Sequence, residues 1–262
     1  MENHNRQTNG SEAMDSPANP SHKKRNLIIG VLAAAAAIAV GVTFSVGFVP
    51  NGSPQQGQSG ESSETNVFSI DSEPYGLTYG EWAARWWLWL LSIPSRDDPS
   101  DDKTGEKCAI NQVDEHVWFL SGHSPGRHET FCKVPLGKAI FIPLLTGLCD
   151  YHHDTDSKTE SELRACAFSG IRGASMQLSI NGMEIRNVES YRVQSPLFDL
   201  TVPPDNFFGL EPINSTRAAA DGYYVMVEPL PTGQHAIGIK SSIVGDPVSS
   251  FATDGIYNLE VK

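Results

Sequence analysis

Residues 80–94, GEWAARWWLWLLSIP, hold four of the chain's five tryptophans within eight positions. At about 100° per residue, an α-helix places Trp82, Trp86 and Trp89 on one stripe, and neighbouring alanines and leucines widen the apolar arc. Only a narrow polar strip of the helix surface remains, and it contains Glu81 and Arg85 as an i,i+4 ion pair. A helix that is apolar on most sides is buried in a protein interior. The pattern therefore predicts a core helix that the rest of the domain covers.

Three other interpretations of these tryptophans were weighed. Residues 79–93 are too short for a membrane span, which needs about 17 apolar residues at least, and they carry two charges. A helix lying in the membrane interface or against a partner remains open, although such a helix should be rich in Lys or Arg on its polar face, and here Glu81 cancels Arg85. A platform on which a sugar or another ligand stacks also remains open.

Capping patterns set the limits of two predicted helices. The first covers Thr78 to Ile93: Thr78 and Glu81 can form a capping box, and Pro94 ends the helix. The second covers Lys158 to Phe168, with Ser157 as its cap and Glu160 three residues further on.

Downstream of the second helix, the hydrophobic period changes from 3.6 to 2. In SMQLSINGMEIRNV, residues 175–188, apolar and polar residues alternate on both sides of Asn181-Gly182, which predicts a β-hairpin with a type I′ turn. Further strands are predicted at Val117–Leu120, Ala139–Leu145, Tyr223–Val227, His235–Lys240 and Gly255–Val261. The fold class predicted is α+β: a mainly antiparallel β-sandwich or jelly-roll-like domain with two packed helices, preceded by one transmembrane helix.

The N-terminal quarter of the chain divides by composition. Residues 1–26 are polar and predicted to be a disordered cytoplasmic tail. Residues 27–49 are uncharged and long enough to cross a bilayer, and HKKR at 22–25 places the N-terminus in the cytoplasm. Residues 50–66 are a flexible tether, and 67–262 form the external domain. These features predict a single-pass protein of the cell membrane, in contact with lipid through 27–49, with its C-terminal domain extracytoplasmic. A cleaved signal peptide is the competing interpretation.

The charge balance argues against a nucleic-acid partner. The formal net charge is −12 in total, and residues 1–26 carry +1, so the remainder carries −13. Binding to phosphates needs clustered lysines and arginines.

All four cysteines lie on the predicted extracytoplasmic side, where disulfides persist. Of the three possible pairings, Cys108–Cys132 and Cys149–Cys166 are favoured because each closes a short loop beside an ordered element. On the same side, Asn214-Ser215-Thr216 is an acceptor sequence for N-glycosylation.

One short segment suggests metal binding. CDYHHDTD, residues 149–156, brings together His152, His153 and Asp154, and imidazole with carboxylate suits zinc or copper. Adjacent histidines point in different directions on a regular backbone, so a single site would need either a loop geometry or distant ligands such as His116, His123, His128 or His235. A hydrated loop leading into a helix explains the same residues without a metal. No catalytic residues are predicted, because neither HExxH nor GxSxG occurs.

Six segments carry a resemblance to a known group of proteins: 79–94 (YGEWAARWWLWLLSIP), 104–112 (TGEKCAINQ), 117–122 (VWFLSG), 131–145 (FCKVPLGKAIFIPLL), 191–198 (YRVQSPLF) and 233–239 (GQHAIGI). Together they resemble an uncharacterised family of exported or membrane-anchored bacterial and archaeal proteins. The resemblance runs from about Tyr75 to Lys240. It implies one exported domain with the Trp-rich helix as a scaffold feature, and it implies no reaction.

The function expected from the sequence is therefore non-catalytic. The chain is predicted to be a binding or envelope-assembly module that meets a protein partner at the cell surface and needs no cofactor. The alternative is a metal-dependent enzyme or metal carrier that uses histidines between His116 and His153, with zinc or copper as the ion.

Overall fold

The computed structural model describes residues 28–29, 67–100, 102–243 and 251–262. It contains two α-helices, α1 (Tyr79–Leu91) and α2 (Glu160–Ser169). The strands are β1 (Ile28–Ile29), β2 (Val117–Phe119), β3 (Gly126–Val134), β4 (Ala139–Asp150), β5 (Ala174–Ile180), β6 (Met183–Ile185), β7 (Arg192–Gln194), β8 (Phe198–Val202), β9 (Ile213–Val227), β10 (Gly233–Ile243) and β11 (Phe251–Val261).

The strands form two sheets. In the six-stranded sheet, β4 and β9 are the central pair, β1 and β2 join β4, and β7 and β8 join β9. The five-stranded sheet has the order β3-β11-β10-β5-β6. Both sheets are mixed, because β2 is parallel to β4 and β3 is parallel to β11, while the other pairs are antiparallel. The α+β class with two helices is thus confirmed, with parallel pairs at two edges.

The layers follow from the burial of the strands. One apolar cluster lies between the two sheets and contains Ile142 and Val225 from one sheet and Leu178, Ile239 and Leu259 from the other. A second cluster lies on the opposite face of the six-stranded sheet, where α1 packs against Phe141 and Tyr224. Strand β4 is buried along its whole length because it is covered on both faces. The five-stranded sheet, in contrast, turns one face to solvent.

The tryptophan-rich helix is part of the core, as the sequence predicted. Trp82, Trp86, Trp87 and Trp89 are all buried, whereas Arg85 and Leu88 are exposed. Each of the four indole N–H groups donates a hydrogen bond, for example from Trp86 to the Leu120 carbonyl at 2.7 Å. Arg85 does not pair with Glu81, its predicted partner, because Glu81 is engaged by the helix cap. The Arg85 guanidinium instead lies 3.1 Å from the Asp114 carboxylate.

Both helices begin with a capping box. In α1 it joins Thr78 and Glu81, as predicted. In α2 it joins Thr159 and Glu162, two residues after the predicted Ser157 and Glu160. Ser157 instead donates its hydroxyl to the Asp154 carboxylate.

The hairpin is confirmed, with Asn181 and Gly182 at positive φ between β5 and β6. The return strand ends at Ile185, short of Val188, which begins a short 3-10 turn. The other predicted strands exist, several of them longer than predicted. The sequence did not predict β3, β7 and β8, nor β1, whose residues fall within the predicted transmembrane helix.

The structure contains the disulfides Cys108–Cys132 and Cys149–Cys166, the pairing favoured from the sequence. The first joins a 3-10 turn to β3, and the second joins β4 to α2.

The predicted tail 1–26, the transmembrane segment 27–49 and the tether 50–66 lie outside the described residues, except for Ile28 and Ile29. The backbone of these two residues pairs with Leu148 and Gly147 on β4. No helix among the described residues is both long enough and apolar enough to cross a membrane.

Candidate functional site: a charged cleft on the five-stranded sheet

An open cleft of about 710 Å³ lies on the five-stranded sheet. Its position follows from strand alternation: on β10, Ile237, Ile239 and Ser241 are buried between the sheets, so Gly238 and Lys240 point to the other face. Outward residues of all five strands line it, and so does Lys103, from a turn that precedes β2 in the chain. The cleft therefore belongs to the face of the sheet that no other described layer covers.

Strand register orders the lining side chains into two rows. The first row runs Arg127, Asp254, Lys240, Gln177 from β3 to β5. The second runs Glu129, Ile256, Gly238, Ser179, Glu184 from β3 to β6. Residues directly opposite each other on neighbouring strands have Cβ atoms about 5 Å apart, so the side chains of the first row are neighbours, whereas the second row is interrupted at Gly238.

The charges in the cleft are unevenly compensated. The Asp254 carboxylate lies 3.6 Å from both Arg127 and Lys240. Glu129 accepts a hydrogen bond of 2.9 Å from the Asn258 amide. The side chains of Lys103 and Glu184 make no hydrogen bond or ion pair with any described residue. The two charges at the opposite ends of the cleft are thus available to a ligand.

Gly238 forms the floor. A Cβ atom there would lie 2.7 Å from the Ser179 hydroxyl, and a longer side chain would enter the cleft. Beside it, Ile256 is 44% exposed and supplies the apolar wall. The centre of the cleft is therefore open because position 238 lacks a side chain.

A rigid turn holds Lys103. One carboxylate oxygen of Asp102 accepts hydrogen bonds from the Thr104 amide and hydroxyl, both at 2.8 Å, and the other accepts from the Lys107 amide at 2.7 Å. Partial burial acts to raise the pKa of Asp102, but these hydrogen bonds outweigh it and lower the pKa. The Asp102 carbonyl also accepts from the Phe131 amide at 2.8 Å. This bond, with the Cys108–Cys132 disulfide, ties the turn to the edge of β3.

A buried histidine lies behind the same edge. His123 packs against Tyr257 with ring centroids 4.3 Å apart and ring planes tilted by 34°, and its Nε2 lies 3.3 Å from the Thr130 hydroxyl. That hydroxyl donates to the Ser100 carbonyl, so it accepts from Nε2–H, which leaves Nδ1 without a proton. Burial, with a smaller contribution from His128, lowers the pKa of His123 to about 3. His123 is therefore a neutral packing residue at neutral pH.

The predicted metal residues in the loop after β4 are engaged by protein groups. His153 Nδ1 lies 2.8 Å from the buried Asp150 carboxylate, and its Nε2 lies 3.1 Å from the Glu211 carbonyl. Asp154 accepts the Ser157 hydroxyl, and His152 is exposed. A metal ion would have to displace one of the two contacts of His153.

The remaining histidines lie elsewhere. His116 stacks on Tyr75, His123 stacks near His128, and His235 contacts Asn181. Within the described ranges, the one group of three ligand atoms within 4.8 Å of one another is Cys149, Asp154 and Cys166. Its two sulfurs are joined in a disulfide, so they are not the thiolates that zinc requires. The structure does not bring the predicted ligands together.

Asn214, the predicted glycosylation residue, is exposed at the start of β9. The residues of the cleft were not predicted from the sequence. The alternation in β10 and β11 does place Lys240 and Asp254 on outward positions, but which strand lies beside which depends on non-local pairing. The parallel partner β3 comes more than 100 residues earlier in the chain.

No model of a known protein family matches the sequence, and no curated protein matches it. Among solved structures, the chain is similar to PbICP-C, solved in complex with falcipain-2, with 13% identity and a TM-score of 0.23 over 56% of this chain and 99% of that one. It is also similar to the cysteine protease inhibitor EhICP2 from Entamoeba histolytica, with 11% identity and a TM-score of 0.21 over 56% of this chain and 94% of that one. At these TM-scores neither structure defines the fold or the function of this chain.

Proposed function

We propose that the protein is a non-catalytic binding module on the extracytoplasmic side of a cell membrane, and that the cleft of the five-stranded sheet is its ligand site. The observation that carries the proposal is the cleft itself. Its volume of about 710 Å³ falls within the range of about 300–1,000 Å³ typical of ligand sites. Its lining combines an open floor at Gly238 with two charges, at Lys103 and Glu184, that no described residue compensates.

The location rests on chemistry outside the cleft. Two disulfides are typical of an oxidising compartment. Residues 27–49 are uncharged and follow HKKR, a pattern typical of an anchor with a cytoplasmic N-terminus. A domain tethered in this way meets partners at the cell surface or in the envelope, which makes it an assembly or recognition module.

Location is tested with the full chain fused at its C-terminus to alkaline phosphatase, which is active only where disulfides form. The expected result is an active fusion that stays in the membrane fraction after carbonate extraction. An inactive fusion, or one released by carbonate, contradicts the proposal. A fusion to a cytoplasmic fluorescent reporter serves as the reciprocal control.

The cleft is tested by site-specific photo-crosslinking in the source organism. A photoreactive amino acid replaces Gln177, which lines the cleft, or Gln234, which is outward on β10 but outside it. Illumination of intact cells should give an adduct from position 177 that position 234 does not give and that Gly238→Leu removes. Equal labelling from both positions would contradict the cleft as the ligand site.

Native mass spectrometry of the purified full chain tests whether the protein binds a metal ion. Its native mass is expected to equal that of the polypeptide less four hydrogens, because both disulfides are formed. A mass gain of a whole metal ion that disappears in the double variant His152→Ala, His153→Ala would favour the metal-dependent alternative.

A further inference from the structure

The charges that line the cleft form a dipole across the sheet. Lys103, Arg127 and Lys240 oppose Glu129, Asp254 and Glu184, so the lining as a whole is neutral. At the β3 end lie Lys103, Arg127 and Glu129, which together carry one net positive charge. In the centre, the Asp254 carboxylate lies 3.6 Å from both Lys240 and Arg127. At the β6 end, Glu184 pairs with no described residue. One end of the cleft is therefore positive and the other negative.

The span of this dipole sets the size of a complementary ligand. From β3 to β6 there are four strand intervals, which at about 4.8 Å each amount to about 19 Å. An extended polypeptide advances about 3.3 Å per residue, so about six residues cover this distance. Lys103 lies at the β3 end of this span, because its turn is hydrogen-bonded to β3, and Glu184 lies at the β6 end.

The lining also discriminates between classes of ligand. Among the described residues that line the cleft there is no Trp, Tyr or Phe, so these residues offer no flat surface on which a sugar ring could stack. A ligand of one charge sign would meet repulsion at one end of the cleft. The wall at Ile256 and the bare backbone at Gly238 suit a narrow chain with small side chains in the middle.

We infer that the cleft binds a short, extended peptide segment that lies across the strands, with an acidic side chain at Lys103 and Arg127 and a basic side chain at Glu184. This inference rests on the proposed function and names the ligand class of the same site. The peptide's ends replace the missing counter-charges of Lys103 and Glu184, and its central residues pass over Gly238.

The inference is tested by isothermal titration of the full chain in detergent, at low salt, with capped hexapeptides. The probe has glutamate first, lysine last and alternating threonine and alanine between them. The comparison peptides carry glutamine, glutamate or lysine at both ends. The Glu/Lys peptide is expected to bind with 1:1 stoichiometry and about fivefold or more tightly than any of the others.

Variants of the cleft give the structural control. Gly238→Leu fills the floor and should abolish binding, whereas Ala236→Leu, on the same strand and face but outside the cleft, should leave it unchanged. Lys103→Glu should shift the preference to the Lys/Lys peptide. The double variant Lys103→Glu, Glu184→Lys should again bind the Glu/Lys peptide, with the peptide reversed in the cleft. Thermal melts show whether each variant is folded.

The outcomes separate the inference from the proposed function. Equal binding of all four peptides, or binding that survives Gly238→Leu in a folded protein, overturns the peptide inference. If no peptide binds but a sulfated oligosaccharide does, and Gly238→Leu removes that binding, the ligand class is wrong while the cleft remains a binding site. If neither binds and no crosslink forms at position 177 in cells, both proposals fail.

Discussion

His123 shows how one residue joins the packing of the domain to its dependence on pH. Its ring fills the space over Gly255, where a Cβ atom would lie 2.1 Å from Nδ1. Its pKa is lowered to about 3 because burial disfavours the charged imidazole and His128 adds repulsion. His128 stacks on the ring with centroids 5.4 Å apart, and the other groups that face it are uncharged: Tyr257, Thr130 and the glycine backbone. No carboxylate among these contacts compensates an imidazolium ion.

The pKa shift predicts a loss of stability in weak acid. In the unfolded chain His123 takes up a proton below about pH 6.5, whereas the folded protein resists protonation down to about 3. Stability is therefore present above pH 6.5 and falls as the pH falls towards 3. Between pH 6.5 and 5, the free energy of unfolding should drop by about 1.5 kcal/mol through this residue.

Urea denaturation of wild type and His123→Gln at both pH values measures this drop. The variant should lack the His123 contribution, whereas His152→Gln, which removes an exposed histidine, should keep it. If His123→Gln shows the same pH dependence as wild type, His123 does not stay neutral in the folded domain.

The contact between His123 and Gly255 predicts how much a methyl group at position 255 would destabilise the fold. Gly255→Ala should lower the free energy of unfolding by about 2–3 kcal/mol, because the His123 ring is held against Tyr257 and cannot retreat. Gly238→Ala is the matched control on the neighbouring strand, where the obstacle is a rotatable Ser179 hydroxyl, and it should change stability by less than about 0.5 kcal/mol. Equal effects of the two variants would show that the ring is free to move.

At the scale of elements, α1 combines a local start signal with burial by distant strands. Thr78 accepts the Glu81 amide, and Glu81 accepts the Thr78 amide, so two otherwise unpaired donors are satisfied. The tryptophan face then packs on the six-stranded sheet, with Trp87 donating to Thr146 on β4. The capping box sets where the helix begins, and the sheet provides most of its stability.

Removal of the helix cap measures how much the capping box contributes to the free energy of unfolding. Thr78→Ala should lower the free energy of unfolding by about 1 kcal/mol, and thus the melting temperature by about 2–4 °C for a domain of this size. Thr155→Ala replaces an exposed threonine that caps no helix, and it should leave the melting temperature unchanged. A loss well above about 2 kcal/mol for Thr78→Ala would show that the cap also supports tertiary packing.

At the scale of the whole molecule, the two disulfides lie in different layers. Cys108–Cys132 fastens the turn that carries Lys103 to the edge of the five-stranded sheet. Cys149–Cys166 fastens α2 to the end of β4 in the six-stranded sheet. The bridges close sequence separations of 24 and 17 residues.

Removal of either bridge should lower the free energy of unfolding by a similar amount, but only one of the two removals should weaken ligand binding. Cys→Ala pairs at either bridge should lower the free energy of unfolding by about 3 kcal/mol, since loop-closure entropy changes slowly with length. Only the Cys108→Ala, Cys132→Ala pair should also weaken binding of the Glu/Lys hexapeptide, because it frees Lys103. Denaturation and titration of both pairs check this, and equal weakening by the Cys149→Ala, Cys166→Ala pair would contradict the assigned role of the first bridge.

Features that depend on residues close together in the chain could be predicted from the sequence. The capping box at Thr78, the hairpin turn at Asn181-Gly182, the burial of the tryptophan helix and the two short-range disulfides all depend on residue types within a few turns or one loop. The α2 cap shifted by two residues because Thr159-Glu162 repeats the pattern of Ser157-Glu160, and the Asp154 carboxylate takes the Ser157 hydroxyl.

The cleft depended on tertiary structure. Its rows join β3, β11, β10, β5 and β6, and a shift of one residue in any register would turn Lys240 or Asp254 into the core. The parallel pairing of β3 with β11 brings Arg127 beside Asp254, and no local signal marks β3 as that partner. Strand pairing is decided by the burial of a whole face across distant segments, so the sequence specifies the charges while the fold places them opposite one another.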